Sequence, residues 1–165
     1  MYEATLGDAM RHPEQPLHVI YLRLFDNVAG TERFIAGAWR HFAFVHVLES
    51  ADQVTAEELD AAKASGTVAS MFIASETQLE DALRRQATEK WDEPMPNGFI
   101  SRWRWVFNSE RGRYPVRGLL CHGSFWRQAV DLLLVRMDRV VIDLTGYRPA
   151  NAGTRFELQR AIDRV

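Results

Sequence analysis

Short apolar runs alternate with amphipathic stretches along this chain. Residues 140–142 read Val-Val-Ile, a continuous apolar run that is typical of a strand covered on both faces. Similar runs over 18–25 and 44–48 predict two earlier strands. Apolar residues at helical spacing between these runs predict helices, most clearly after residue 124. That stripe consists of Trp126, Val130, Leu133, Leu134 and Met137.

Strand and helix patterns therefore follow one another through most of the chain. This alternation predicts an α/β fold, a Rossmann-like or flavodoxin-like, mostly parallel sheet with helices on both faces. Residues 102–107 and 114–121 are two extended runs around a glycine-containing turn, so an embedded β-hairpin is also expected. Residues 68–74 fit either a strand or a helix, and a short strand over 71–74 is the favoured interpretation.

Two polar residues are expected to begin helices. Thr55 and Glu58 have the spacing of a capping box, in which each side chain bonds the main chain of the other residue. Ser124 precedes the clearest helical stripe and is expected to cap it. Its neighbour His122 lacks the spacing of a catalytic triad.

The chain divides into a loose N-terminal leader over 1–16 and a single α/β domain over 17–165. A length of 165 residues suits one domain with a substantial hydrophobic core. A doubly wound fold usually continues with another strand after its last predicted helix, and none follows here. Either the sheet ends early or the chain is a piece of a longer protein.

Composition and charge exclude several classes of function. The formal net charge is −2, so no bulk positive charge suggests nucleic-acid binding. The longest apolar runs are far too short to span a bilayer, and the first residues lack the apolar core of a signal peptide. Cys121 is the only cysteine, which excludes an internal disulfide and predicts a reducing, cytoplasmic location. The histidines lack metal-ligand spacing, and neither a metal nor another cofactor is expected.

The candidate chemistry lies in the last segment, where the 140–142 strand ends at Asp143. A polar turn with two glycines and a proline follows, and helical periodicity then resumes. Because α/β proteins bind ligands outside the carboxyl ends of their strands, Asp143 is expected at a binding crevice. Glu157 is expected in the first turn of the last helix, exposed at the mouth of the sheet.

Both carboxyl groups also have a purely structural interpretation. Thr154 and Glu157 have capping-box spacing, with Thr154 beginning the helix, and this common motif needs no catalytic role. Asp143 has the alternative of bonding the amides of the turn that follows it. The sequence leaves these alternatives open.

The same segment resembles the C-terminal motif of nucleoside 2-deoxyribosyltransferases, a superfamily related to the Toll/interleukin-1-receptor (TIR) domains that cleave NAD. In that motif a strand ending in Asp or Asn, a Leu-Thr pair and an aromatic-Arg turn lead into Gly-Thr-x-Phe-Glu. The matching residues here are Asp143, Leu144, Thr145, Tyr147, Arg148, Gly153, Thr154, Phe156 and Glu157. There are three departures, one of which is the missing strand after the last predicted helix. Gln159 replaces the glycine that follows Glu-Leu, and the Gly-Pro of the family's first strand is missing.

The resemblance implies roles for these residues. Glu157 would be the nucleophile that attacks the anomeric carbon of the sugar, and Asp143 would assist catalysis beside it. Substrate contacts are expected from strand ends, from the polar turn and from the helix start. These residues are Asp26, Asn27, Thr145, Arg148, Asn151, Gly153 and Thr154.

The implied function is cleavage or exchange of an N-glycosidic bond in a nucleoside, or in a nucleotide such as NAD. Such bonds break through an oxocarbenium-like transition state, which a carboxylate can trap or stabilise. The alternative is a non-catalytic, nucleotide-sensing or self-assembling TIR-like module of a signalling or defence protein. Since members of these families usually work as oligomers, the resemblance also implies a homo-oligomer.

Overall fold

Four parallel strands form one sheet among the residues that the computed structural model describes, which are 16–23, 28–51, 54–88, 114 and 116–164. The strands are β1 (Leu17–Arg23), β2 (Ala43–Ser50), β3 (Val116–Cys121) and β4 (Arg139–Asp143). Their order across the sheet is β3-β2-β1-β4, and each neighbouring pair is parallel. All four carboxyl ends therefore lie at the same edge of the sheet.

Five helices accompany these strands in the described part of the chain. They are α1 (Val28–Ala36), α2 (Ala56–Ala64), α3 (Glu76–Thr88), α4 (Trp126–Arg136) and α5 (Ala152–Ile162). A short 3-10 helix at Ala38–His41 precedes β2, and a single helical turn at Val68–Met71 precedes α3. None of the described helices has the length and apolar character needed to cross a membrane.

The sheet is covered on both faces because alternate residues of each strand contact different helices. On the first face, Ile20 packs with Leu133 of α4, and α3 and α5 add further apolar side chains. On the second face, Tyr21 and Val47 pack with Ile35 of α1. The predicted α/β fold, a mostly parallel sheet with helices on both faces, is confirmed.

The last strand shows how a continuous apolar run arises. Val140 and Ile142 pack against the core of the first face, whereas Val141 packs against the core of the second face. Each residue of the run therefore contacts one of the two cores, as expected for a strand of a parallel sheet. The run ends at Asp143, where the strand leaves both cores.

The expected strand over 71–74 is wrong. A helical turn runs to Met71, and only Ile73 extends the sheet, through an isolated parallel bridge to Cys121. The main-chain N of Ile73 donates to the carbonyl of Leu120 at 2.8 Å. Longer pairing does not form because α3 begins soon after Ile73 and turns the chain away from the sheet.

One of the two expected helix caps forms. The Thr55 hydroxyl accepts from the main chain of Glu58, whose carboxylate accepts from the main chain of Thr55, so the capping box before α2 is confirmed. The expected cap at Ser124 is wrong. The turn after β3 runs on to Phe125, so Ser124 lies too early in the chain to cap α4. The Ser124 hydroxyl instead lies 2.7 Å from His122 Nδ1.

Two other expectations concern residues that the structure leaves undescribed. The predicted leader lies outside the described residues up to residue 15, and so does the first arm of the predicted hairpin, 102–107. The second arm corresponds to β3, which pairs in parallel with β2.

Two histidines meet on neighbouring strands, His18 near the amino end of β1 and His46 in the middle of β2. His18 Nδ1 lies 3.0 Å from Nε2 of the fully buried His46, and the main chain of His18 exchanges two hydrogen bonds with Asp138. One ring nitrogen of the pair must accept, so at least one imidazole is neutral. Burial lowers the pKa of His18, and the negative charge of Asp138 opposes this shift only in part.

Acidification is expected to destabilise the fold through His18. Its folded-state pKa lies below the ordinary 6.5, so its contribution to stability is present above that value and is lost as the pH falls toward the folded-state pKa. The non-titrating variant His18→Asn should therefore lose less unfolding free energy than wild type between about pH 7 and about pH 5. Urea denaturation at both pH values measures this, and equal losses would contradict it.

Candidate active site

Asp143 ends β4 at the carboxyl edge of the sheet, and hydrogen bonds hold both of its carboxylate oxygens. Tyr21 of β1 donates its hydroxyl to Oδ2 at 2.6 Å, and the main-chain N of Thr145 donates to Oδ1 at 2.8 Å. Burial acts to raise the pKa of Asp143, but the bonds from Thr145 and Tyr21 and the positive charge of Arg33 outweigh it. The pKa therefore lies below its ordinary value, and the carboxylate is ionised at neutral pH.

A cavity of about 300 Å³ adjoins this carboxylate on the second face of the sheet, and we name it the Asp143 cavity. It lies between α1 and the neighbouring strands β1 and β4. Its lining residues are Tyr21, Gly30, Arg33, Phe34, Val141, Asp143 and Thr145. The chain leaves β1 toward β2 on one side, whereas β4 lies on the other side, so strand order reverses here. Ligands of open α/β sheets bind at such reversal points.

Tyr21 and Arg33 belong to this site, although the sequence did not identify them. The Tyr21 ring stacks on Phe34 of α1, with centroids 4.0 Å apart and an interplanar angle of 4°. Burial raises the pKa of Tyr21, so its hydroxyl keeps the proton that it donates to Asp143. The one sequence feature that could have indicated Tyr21 is its position near the end of a strand that is otherwise largely aliphatic.

Glu157 does not occupy the position expected from the sequence. Helix α5 begins at Ala152, and its N-cap is Asn151, which makes no side-chain capping bond. Thr154 and Glu157 therefore both lie within the helix, on its buried side, and the predicted capping box is wrong. The expectation of an exposed carboxylate in the first turn is also wrong, because the Glu157 side chain is only 2% exposed. Because the helix begins earlier than expected, Glu157 lies in its second turn, on the side that faces the core.

The buried Glu157 carboxyl lies in an environment that favours its neutral form. Its Oε2 atom has no hydrogen-bond partner among the described residues. Burial raises its pKa to about 8, and the positive charge of Arg23, itself only 3% exposed, opposes that rise in part. Glu157 is therefore mostly protonated at neutral pH. The two carboxyl groups of the segment, Asp143 and Glu157, are held in opposite ionisation states.

The turn between β4 and α5 contributes one candidate ligand-binding residue, Thr145, and one hydrogen bond that is purely structural. Thr145 lines the Asp143 cavity together with Asp143, as a binding role requires. Arg148 is exposed, and its main-chain N donates to Asn151 Oδ1 at 2.7 Å. That bond closes the turn before α5, so the Asn151 side chain has a structural function here.

The remaining predicted substrate contacts lie elsewhere. Gly153 lines a second, smaller cavity, and Thr154 is buried within α5. Neither these two residues nor Glu157 are among the described residues that line the Asp143 cavity. Asp26 and Asn27 lie outside the described residues.

Neither a metal site among the described residues nor a known relative adds to this geometry. Among the described side chains, no group of three or more His, Cys, Asp or Glu is arranged to hold a metal ion. No protein-family model, curated protein or solved structure matches the chain.

Replacing Glu157 by Gln is expected to stabilise the fold at alkaline pH relative to wild type. The folded-state pKa of about 8 exceeds the ordinary 4.5, so the stabilising proton is fully retained below pH 4.5 and is lost as the pH rises through about 8. Within that window, each pH unit lowers the free energy of unfolding by up to about 1.4 kcal/mol. Glu157→Gln removes this loss.

Urea denaturation between about pH 6 and about pH 9 measures the difference between wild type and Glu157→Gln. Glu57→Gln, at an exposed position of α2, is the matched control and should follow the wild-type pH dependence. The assignment of a raised pKa fails if Glu157→Gln loses as much stability as wild type across this range.

Proposed function

We propose that the chain binds a nucleoside or nucleotide at the carboxyl edge of the sheet and cleaves or exchanges its N-glycosidic bond. The observation that carries this proposal is the pair of carboxyl groups, Asp143 and Glu157, whose pKa values are shifted in opposite directions. In enzymes, such a pair divides the roles of ionised carboxylate and proton donor between its members.

Asp143 would act on the sugar. N-glycosidic bonds break through an oxocarbenium-like transition state, and an ionised carboxylate stabilises or traps its positive charge. Asp143 is ionised, lines a cavity and is held at both oxygens by Tyr21 and Thr145. A carboxylate that is fixed in advance needs no reorientation as the charge develops, which favours electrostatic stabilisation as its main contribution.

Glu157 would have a different role from the nucleophile that the family resemblance implies. A carboxyl group with a pKa of about 8 is mostly protonated at neutral pH, which makes it a poor nucleophile and a suitable general acid. In this proposal Glu157 protonates the departing base. Water, or a second base in an exchange, then forms the new bond to the anomeric carbon and releases a proton that restores Glu157. The role requires the buried carboxyl to reach the bound ligand, directly or through one water, and the pH experiment below tests that requirement.

The chemistry of the leaving group decides whether this proton is needed. A purine or pyrimidine leaves more readily once it is protonated, whereas nicotinamide departs neutral from a cationic ring and needs no acid. The positive charge of Arg33 at the Asp143 cavity suits a phosphate, which favours a nucleotide over a nucleoside as substrate.

A second candidate function is a nucleotide-sensing or self-assembling module without catalysis. The burial of Glu157 favours this second function, because a carboxyl group that is 2% exposed does not contact a ligand in the described conformation. In that case the Asp143 cavity would bind a nucleotide without turnover. Homo-oligomer formation is compatible with both functions and stays a prediction.

Replacing Asp143 by Asn should lower kcat/KM on the order of a hundredfold or more, because the ionised carboxylate is lost. The assay follows base release by chromatography from a purine nucleoside, its monophosphate and NAD. Asp60→Asn removes an exposed carboxylate of α2 and should retain wild-type activity. Equal turnover by the two variants would overturn the role of Asp143. Thermal stabilisation by a nucleotide without any base release by wild type would support the sensing module instead.

The pH dependence of turnover tests the role of Glu157. Release of a purine should fall above about pH 8, because the proton donor becomes ionised there. Glu157→Gln, which is neutral at every pH, should slow purine release at neutral pH and remove the alkaline fall. Nicotinamide release from NAD should change much less. If the variant keeps the alkaline fall, the proton comes from another group.

A further inference from the structure

A second cavity lies at the same edge of the sheet, on its first face, and has a volume of about 190 Å³. We name it the Trp126 cavity. Its lining residues are Ser50, Cys121, Gly123, Trp126 and Gly153. It therefore lies beyond the ends of β2 and β3 and against the first turns of α4 and α5. The proposed chemistry at Asp143 makes no use of it.

Gly153 has no conformational reason to be glycine. It lies in the first turn of α5, and positive φ angles among the described glycines occur at Gly66 and Gly146 only. A Cβ atom at Gly153 would meet the Trp126 ring at 3.6 and 3.8 Å, which is ordinary van der Waals contact. Glycine within a helix costs roughly 0.5–1 kcal/mol relative to alanine. The fold would therefore be more stable with alanine here, but the Trp126 cavity would be narrower.

The other walls of the Trp126 cavity are uncharged. Burial raises the pKa of the Cys121 thiol to about 12, so this wall is a neutral thiol at physiological pH. At Gly123 a Cβ atom would meet nothing within 4 Å, so space adjoins that backbone too. Trp126 contributes an aromatic ring, which packs against Phe156 of α5 with centroids 5.5 Å apart. A charged ligand group would find no countercharge among these lining residues.

The indole N–H of Trp126 is a buried donor with no hydrogen-bond partner in the described part of the chain. A buried donor left without an acceptor costs roughly 1–3 kcal/mol. A ligand whose acceptor nitrogen or oxygen reaches the Nε1 atom of Trp126 would recover this energy. This donor without a partner is independent of the glycine at position 153, and it also favours a ligand.

We propose that the Trp126 cavity is a subsite for an uncharged, planar nitrogen heterocycle, with Gly153 leaving room for the ring beside Trp126. A volume of about 190 Å³ is below the usual range for a whole ligand and suits one ring system. Flat rings pack well on indole, and their ring nitrogens supply the acceptor that Trp126 lacks. The choice of a nucleobase-like ring rests on the proposed function, whereas the cavity and its unmet donor do not.

The test measures binding of free bases, which have no glycosidic bond to cleave. Adenine, cytosine and nicotinamide are titrated into the full chain by calorimetry, while NMR follows the indole N–H resonance of Trp126, assigned with Trp126→Phe. We expect at least one base to bind wild type and to shift that resonance. Gly153→Ala should raise the melting temperature and weaken the binding by about tenfold or more. Arg155→Ala, at an exposed position of α5, should bind like wild type.

Two outcomes overturn the subsite. One is that none of the three bases binds wild type or shifts the Trp126 resonance. The other is that Gly153→Ala binds a base as tightly as wild type does. Failure of the catalytic proposal is a separate result. It would appear as unchanged turnover by Asp143→Asn or as no base release by wild type, whatever happens at Gly153. A gain in stability without a loss of binding in Gly153→Ala would show that the glycine serves no ligand.

Discussion

Parallel pairing of the four described strands, each covered by side chains on both faces, is the constraint on which the other features depend. Apolar residues occupy most positions inside the strands, whereas the charged residues Arg23 and Asp143 lie at the ends of β1 and β4. Parallel pairing then brings all four carboxyl ends to one edge. The Tyr21–Asp143 hydrogen bond joins neighbouring strands at that edge, and both cavities lie along it. The candidate site is therefore a direct consequence of how this sheet ends.

Arg23 lies close to both carboxyl groups of the proposed mechanism, next to Asp143 in the sheet and within range of the charge of Glu157. It is the last residue of β1, its Cα pairs in register with that of Asp143, and its charge opposes the rise in the pKa of Glu157. The different depths of the carboxyl groups explain their opposite behaviour. Asp143 lies at the rim and accepts two hydrogen bonds, whereas Glu157 lies in an interior where ionisation would cost solvation energy. Any ligand that changes the surroundings of Arg23 would therefore change the proton affinity of Glu157.

The parts of this structure that could be predicted are those that depend on residues close together in the sequence. The apolar run ending at Asp143 predicted a buried strand with a carboxylate at its end. The strand and its terminal carboxylate are present, but the strand is only partly buried, because it lies at the edge of the described sheet. Glu157 was misplaced because the Asn151–Arg148 bond closes the preceding turn and lets α5 begin at Ala152. Tyr21 could not be assigned in advance, since its partner lies 122 positions away in the chain. The same holds for the Trp126 cavity, which depends on contact between two helices.

When the chain unfolds, His18 of the histidine pair and the buried Glu157 exchange protons with the solvent in opposite directions. Near pH 6 the folded chain holds a proton on Glu157 that the unfolded chain releases, whereas unfolding exposes His18, which then takes one up. The two exchanges have opposite signs. The net proton exchange with the buffer that a calorimeter records on unfolding would therefore be the difference between two opposing titrations, one on each side of the sheet's length.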